Sequence, residues 1–298
     1  MLSILIPTYN YDIRELVKEL HTQGINSYKA FEIIVMEDGS TKCLRKNGEV
    51  KELKFCQYIQ LSENIGRSAI RNRLAEKAKY NHLIFIDCDA EVQNRNFIEK
   101  YLSFCDEECV VIGGTAYDEN NHNPKMSLRL KYGREKEGKS ALERNKNEGY
   151  SHFSTFNFLI SKNIFNNIKF DETIKGYGHE DTLFGHCIKE LNTKIYHIEN
   201  PLIHKGLDEN TIFIKKTEKA TENLYKLYET GKYPFLRKQS KLLTTFEKIK
   251  RLKLTSLFKL CYQLFSPLMK KNLCRKNPSL LLFDIYKLLY LCKVAREE

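Results

Sequence analysis

His82-Leu83-Ile84-Phe85-Ile86-Asp87-Cys88-Asp89-Ala90-Glu91 constrains this chain more than any other stretch. A short unbroken apolar run rich in β-branched and aromatic residues reads as a strand buried on both faces, and it runs straight into two aspartates one residue apart. In open α/β sheets ligands bind beyond the carboxyl ends of parallel strands, so these carboxylates are placed to meet a ligand. Two carboxylates so close repel unless positive charge lies beside them. A divalent cation with oxygen ligands supplies that charge and commonly brings a phosphate group with it. The plainer alternative is a turn with a helix cap, which Asp also favours.

The flanking sequence repeats the pattern. Ser3 to Thr8 reads as a buried strand stopped at Pro7, with Asp12 placed to cap a helix through Leu16, Val17 and Leu20. Phe31 to Met36 is a second strand ending in Glu37-Asp38-Gly39-Ser40, and Phe55 to Leu61 a third. Asn64-Ile65-Gly66-Arg67 opens a helix carrying Ile70, Leu74 and Ala78, and Cys109 to Ile112 is a strand ending in Gly113-Gly114. Strands alternating with helices predict an α/β fold whose mostly parallel sheet has helices on both faces. Right-handed crossovers then bring the strand ends to one rim, and with them Tyr9, Asp38, Arg67, Asp87 and Asp89.

Between 116 and 150 the periodicity fades into a polar segment, expected to be a mobile loop serving in part as a lid. Phe153 to Ile160 reads as a strand, with Ser161 capping the next helix. A second chemical focus follows in Asp171 to Asp181. Gly176 and Gly178 allow close backbone approach there, and Glu180 and Asp181 open an amphipathic helix. Compensation of the helix dipole is the bland reading of that acidic pair. His204, after the apolar run Leu202-Ile203, is either a structural histidine or a third metal ligand.

Charge separates the ends of the chain. Residues 241 to 298 hold 13 Lys and Arg against 4 Asp and Glu, a local +9 out of +11 overall, which leaves 1 to 240 nearly neutral. Leu242, Phe246, Ile249, Leu257, Leu260 and Leu264 stripe one side of this helical tail, and Leu281, Ile285, Leu288 and Cys292 another. An apolar face beside a basic one suits peripheral contact with an anionic membrane, or a helical pair packed on the body with its basic side solvated. Nucleic acid is not expected, because the body lacks a basic face. The expected division is therefore 1–235 and a basic amphipathic segment 236–298. Nine scattered cysteines without metal-type spacing are read as reduced thiols. With no leader-like start and no apolar run of membrane-spanning length, the expected location is cytoplasmic, at the inner membrane face if the tail docks there.

Taken together, Ile6-Pro7-Thr8-Tyr9-Asn10, Glu37-Asp38-Gly39-Ser40, Asn64-Ile65-Gly66-Arg67 with Arg71-Asn72, Asp87-Cys88-Asp89 and Gly176 to Asp181 resemble the family 2 glycosyltransferases. The resemblance covers about residues 1 to 230 and implies the GT-A fold, a Rossmann-like α/β sheet flanked by helices, with the tail as a helical appendage. It implies transfer of a hexose or N-acetylhexosamine from a UDP-sugar donor to a glycan or lipid-linked glycan acceptor, in cell-surface polysaccharide synthesis, with inversion. Toward the donor it implies Pro7, Tyr9 (stacked on the base), Asp38, Arg67, Arg71 and Asp87, with the pocket shaped by Gly113 and Gly114. Asp89 and His204 would hold Mn²⁺ or Mg²⁺. Asp181 would be the general base, with Glu180 an acceptor contact or the alternative base, and Asn157, Tyr177, Gly178 and His179 would face the acceptor. Self-association into a homo-oligomer is left open.

Two rivals stand beside this reading. A sugar-nucleotide nucleotidylyltransferase shares the sheet and a metal aspartate, but needs a glycine-rich basic loop where Pro7-Thr8-Tyr9-Asn10 stands. A non-catalytic nucleotide- or lipid-binding scaffold has no use for two acidic foci.

Overall fold

The computed structural model describes residues 1–146, 149–174 and 176–295. Positions 147 and 148 of the expected loop, Lys175 of the second acidic focus, and 296–298 of the tail lie outside the described residues.

Ten strands form in chain order: β1 Leu2–Thr8, β2 Phe31–Glu37, β3 Cys56–Gln60, β4 His82–Ile86, β5 Ala90–Glu91, β6 Val110–Ile112, β7 Thr115–Ala116, β8 Asn157–Ser161, β9 Ile195–His197 and β10 Leu202–His204. Seven make one sheet in the order β3-β2-β1-β4-β8-β6-β9. Every pairing in it is parallel except the two made by β8, which runs antiparallel to β4 and β6. β5, β10 and β7 form a small second sheet.

The unbroken apolar runs are explained by burial on both sides. Ile4, Ile6, Ile33, Val35, Ile84 and Ile86 enter one core with Leu16, Val17 and Leu20 of the helix Arg14–Asn26. The alternate residues Leu5, Ile34, Met36, Leu83 and Phe85 enter the other, with Ile70 and Leu74 of the helix Arg67–Lys77 and with Phe184 and Ile188 of the helix Glu180–Glu190. A strand covered by helices on both faces has no polar face to alternate with. Phe85 is fully buried and stacks on Phe158 and Phe165, with ring centroids 4.9 and 5.3 Å away.

Two local expectations are corrected. β1 does not stop at Pro7: it stays paired with β2 through Thr8, while its pairing with β4 ends at Leu5 and Phe85, so no partner there needs the missing amide N–H. The N-cap position of the first helix is Ile13 rather than Asp12, although the Asp12 carboxylate accepts the backbone N–H of Arg14 at 3.3 Å and forms an ion pair with its guanidinium at 2.8 Å.

The chain divides into two compact units. The first comprises 1–118, 137–175 and 180–206, the second 119–136, 176–179 and 207–298, so the division falls earlier than position 235. The polar segment after 116 is also more structured than a loop. The helix Ser127–Tyr132 sinks Leu128 into the second unit's core beside Phe213, Phe283 and Tyr286. The turn Ala141–Arg144, with Ser140 as its capping box, buries Arg144 against the carbonyls of Ile112, Gly113 and Ile198 in the first unit.

The second unit is helical: Asn210–Glu229, Lys241–Arg251, Thr255–Leu273 and Leu280–Val294 carry most of it. Of the first part of the expected tail stripe, Phe246 and Ile249 are buried and Leu242 is half-buried, with Leu243 beside them also buried, so this part is mostly core rather than surface. Among the described residues no helix is long and apolar enough to cross a membrane.

Phe85→Ala removes a fully buried ring and leaves a cavity, and is expected to cost about 3–5 kcal/mol of stability in urea unfolding. Leu264→Ala, at a side chain 60% exposed, should stay within about 0.5 kcal/mol.

Candidate functional site

The loops after β1 and β2 are tied to the loop that leads into the helix Arg67–Lys77. Asp38 is buried, and its two carboxylate oxygens accept the backbone N–H groups of Ile65 at 2.7 Å and Gly66 at 3.1 Å. Burial raises its pKa above the usual carboxylate range although both hydrogen bonds oppose the shift. Gly39 has φ +66°, and a Cβ there would overlap the backbone at Glu63 and Asn64, so the turn closes only with glycine. Asn10 adds a second tie, its amide oxygen accepting the N–H groups of Thr41 and Lys42. Tyr9, the first residue of the loop after β1, is 53% exposed, and its ring is open for stacking.

The two aspartates after β4 have different partners. Asp87 is held by Arg71, whose guanidinium is buried and donates at 2.6 Å. Asp89 pairs with His204, Oδ2 to Nε2, at 3.1 Å. Burial works against the Asp89 charge, but the His204 hydrogen bond and charge hold its carboxyl below the usual range. Register explains the meeting: β10 pairs antiparallel with β5, setting His204 opposite Ala90, the residue after Asp89. Phe156 and Tyr117 frame the imidazole, with ring centroids 5.1 and 5.9 Å away. Gly206 completes the arrangement, since a Cβ there would overlap the Asp89 carboxylate.

Carboxylate oxygen and imidazole nitrogen are both ligands that Mg²⁺ and Mn²⁺ accept. Their 3.1 Å separation matches adjacent corners of an octahedron with bonds of about 2.1 Å. The pair therefore fits a divalent cation as two of its ligands. Among the described residues no group of three or more His, Cys, Asp or Glu is set to hold a metal.

Glu180 and Asp181 begin their helix in the same unit. Asp181 accepts from the Thr155 hydroxyl at 2.9 Å and the Thr155 N–H at 3.3 Å. Burial and the neighbouring Glu180 charge push its pKa up to about 6, against the pull of Arg71 and Thr155. Glu180 is buried; one carboxylate oxygen pairs with Arg67 at 3.3 Å, and the other finds no hydrogen-bond donor among the described residues. Arg67 also lowers the pKa of Asp89, and Arg71 contacts Asp87 while acting on Asp181. The two arginines thus draw both acidic foci into one region of the first unit.

Three expected residues have other work. Gly113 and Gly114 are buried, and Asn157 is 1% exposed. The Asn157 amide donates to the carbonyls of Gly114 and Asn200 and accepts from the Tyr101 hydroxyl, while Arg144 fills the space beside Gly114. Asn157 is therefore satisfied inside the protein, and its side chain is not presented to an acceptor. Tyr177, Gly178 and His179 fall in the second unit, against the helix Asn210–Glu229. Lys216 lies over the Tyr177 ring at 5.6 Å, Asn223 donates to the Gly178 carbonyl, and the His179 Nε2 meets the Ala220 carbonyl oxygen at 3.0 Å. Pro7 lies within β1, next to the Thr8 carbonyl that accepts the Asp38 N–H.

Sequence reasoning missed Thr155, Gly206 and Tyr11. Burial and the nearby Asp89 charge push the Tyr11 hydroxyl up. Only Gly206, two positions after His204, offered a signal.

Comparison with known proteins bears on family and fold. Residues 3–169 match the model of glycosyl transferase family 2. An uncharacterized glycosyltransferase of Rickettsia felis is 29% identical over 124 residues, 41% of this chain and 20% of that protein. The chondroitin synthase of Pasteurella multocida is 26% identical over 222 residues, 62% of this chain and 22% of that one. The chain thus spans about a fifth of the length of the curated relatives it matches. In fold it is similar to S. aureus TarS 1–349, solved in complex with UDP-GlcNAc, at TM-score 0.50 and 21% identity over 75% of this chain and 66% of that one. It is similar too to the mannosyltransferase PcManGT of Pyrobaculum calidifontis, solved with GDP-Man and Mn²⁺, at TM-score 0.51 and 14% identity over 80% and 67%.

Titration of the Asp181 carboxyl carbon by NMR should show a midpoint near about 6. Thr155→Val, which removes a hydrogen bond to the charged form, should raise that midpoint further; a value in the ordinary aspartate range would contradict burial as its cause.

Proposed function

The chain belongs to glycosyl transferase family 2, and from that premise we propose that it transfers a hexose or N-acetylhexosamine from a UDP-sugar to a glycan or lipid-linked glycan acceptor, with inversion at the anomeric carbon. The observation that carries the proposal is the pairing of a cation-type ligand set, Asp89 with His204, with a separate carboxylate of raised pKa, Asp181, both within reach of the Arg67 and Arg71 charges. The uridine base is inferred from the family resemblance and from the UDP-GlcNAc complex of TarS; a cell-surface polysaccharide as product is inferred from the family resemblance, and the chondroitin synthase likeness supports a glycan acceptor.

Each residue then has a defined task. Tyr9 offers its ring to the base, and the turn around Asp38 fixes the loop edge against which the base rests. Asp87 is held by Arg71 in reach of the ribose. Asp89 and His204 would hold Mn²⁺ or Mg²⁺, which when bound supplies Lewis-acid neutralisation of the departing diphosphate. Arg67 adds positive charge beside Asp89, where the leaving group's negative charge develops. Asp181 takes the proton of the acceptor hydroxyl as its oxygen attacks the anomeric carbon and the bond to the diphosphate breaks. Thr155 orients the Asp181 carboxylate for that transfer. A single displacement needs one base and no covalent nucleophile, which gives inversion. Glu180, one of whose buried carboxylate oxygens has no hydrogen-bond donor among the described residues, would contact the acceptor or serve as the alternative base.

Asp181→Asn keeps the shape of the group, and the Thr155 hydroxyl can reverse its hydrogen bond to suit. It should lower kcat by about 10² to 10⁴ while leaving the donor Kd within about twofold. Asp89→Ala and His204→Ala should instead weaken Mn²⁺-dependent donor binding, read by calorimetry with and without metal. Equal loss of donor affinity in Asp181→Asn and Asp89→Ala would refute this division of labour. For wild type the base is charged above its pKa, so kcat/KM should hold above about pH 6 and fall as pH drops through that value. Asp181→Asn should abolish that acid limb.

A further inference from the structure

The second unit carries an apolar surface that its own core does not use. The helix Thr255–Leu273 buries Tyr262, Met269 and Leu273 on one side. On the other, Leu257, Leu260, Leu264, Phe265 and Leu268 are each between 48% and 66% exposed. Their spacing puts them on one helix face, a ridge about 17 Å long at 1.5 Å per residue. The ridge continues across to the helix Leu280–Val294, where Leu281 is 72% and Ile285 42% exposed. Phe265, Leu268, Leu282 and Ile285 help to line an open groove of about 360 Å³ with apolar walls.

The charges around the ridge are mostly positive, with Lys270 of the ridge helix paired to Glu218 at 3.0 Å. Between residues 250 and 276 eight positions are Lys or Arg and none is Asp or Glu. Arg251 and Lys253 stand exposed just before the ridge helix, and Lys271, Arg275 and Lys276 at and beyond its end. Asp284, on the neighbouring helix, is paired with Lys287 at 2.7 Å. A second copy of this chain docked ridge to ridge would bring these cations together, because a two-fold contact apposes a patch with itself. A bilayer surface containing anionic lipid meets both features at once: acyl chains receive the ridge, and negative headgroups surround its basic ends.

We propose that this ridge is a docking surface for an anionic lipid bilayer, with the helix Thr255–Leu273 lying in the plane of the interface. The contact is interfacial, since no described helix is long and apolar enough to span. It narrows the expected membrane role of residues 241–298 to one face, and excludes the stripe through Leu243, Phe246 and Ile249, which is already buried. The proposal is independent of the sugar-transfer reading, because none of its residues is assigned to donor, metal or base.

The test is flotation of the full chain with vesicles of phosphatidylcholine alone or with roughly one-third phosphatidylglycerol. Binding is expected to the anionic vesicles, weakened about tenfold or more by high salt and by the joint change Lys271→Glu, Arg275→Glu. The combined Leu264→Ser, Phe265→Ser, Leu268→Ser variant should lose binding to a similar extent with an unchanged circular dichroism spectrum, since all three side chains are exposed. Failure to float with either vesicle, or equal binding to neutral vesicles that is insensitive to the charge reversals, would overturn the proposal. So would a dimer in sedimentation velocity that the serine variant dissociates while vesicle binding persists, which would assign the ridge to a second copy.

Discussion

Repulsion among like charges is the constraint around which the first unit is arranged. Asp87, Asp89, Glu180 and Asp181 are brought into one region, and an uncompensated cluster of carboxylates would force some of them to protonate. The fold answers with two arginines one helical turn apart, Arg67 and Arg71. Arg71 is buried and spends its charge on Asp87, while Arg67 is half exposed and pairs with Glu180. Compensation is uneven as a result. Asp89 keeps its charge through His204, and Asp181 has its pKa raised by burial first and by the neighbouring Glu180 charge second, against the pull of Arg71 and Thr155. Groups pushed apart in proton affinity within one site divide naturally into a ligand and a base.

The sheet gives those groups their rigidity. β1, β2 and β4 are buried on both faces, so the loops at their ends start from backbone that has little freedom to move. Cross-ties then lock the loops to each other: Asp38 to the N–H groups before the Arg67 helix, Asn10 to the turn after β2, Gly206 against Asp89. A site built this way is organised before any ligand arrives, which lowers the ordering cost that binding must meet.

Much of this was legible in the chain. The run before Asp87 announces a doubly buried strand, Gly66 marks the start of its helix, and Ser161 caps the next one as its side chain suggests. Asp89 and His204, named together by the family resemblance, lie 3.1 Å apart. What could not be read were relations set by tertiary packing. Asn157 looks like a polar group at a strand start, yet it turns inward because the carbonyls of Gly114 and Asn200 need a donor. The polar segment after 116 hides Leu128 and Arg144 as buried anchors, because isolated apolar or basic residues carry no periodicity. In the tail a stripe at helical spacing does not say which turns face the core, and helix 241–251 and helix 255–273 resolve it oppositely.

The reversed direction of β8 has its own consequence. Its neighbours in the sheet point their exits toward the edge that carries Asp87 and Asp89, so an antiparallel strand among them presents its entrance there instead. Thr155 and Phe156 occupy that entrance, one touching Asp181 and the other His204. A single dipeptide, upstream of its strand rather than downstream, therefore touches both Asp181 and His204, and swapping it offers a way to change the surroundings of both together while the scaffold beneath is left intact.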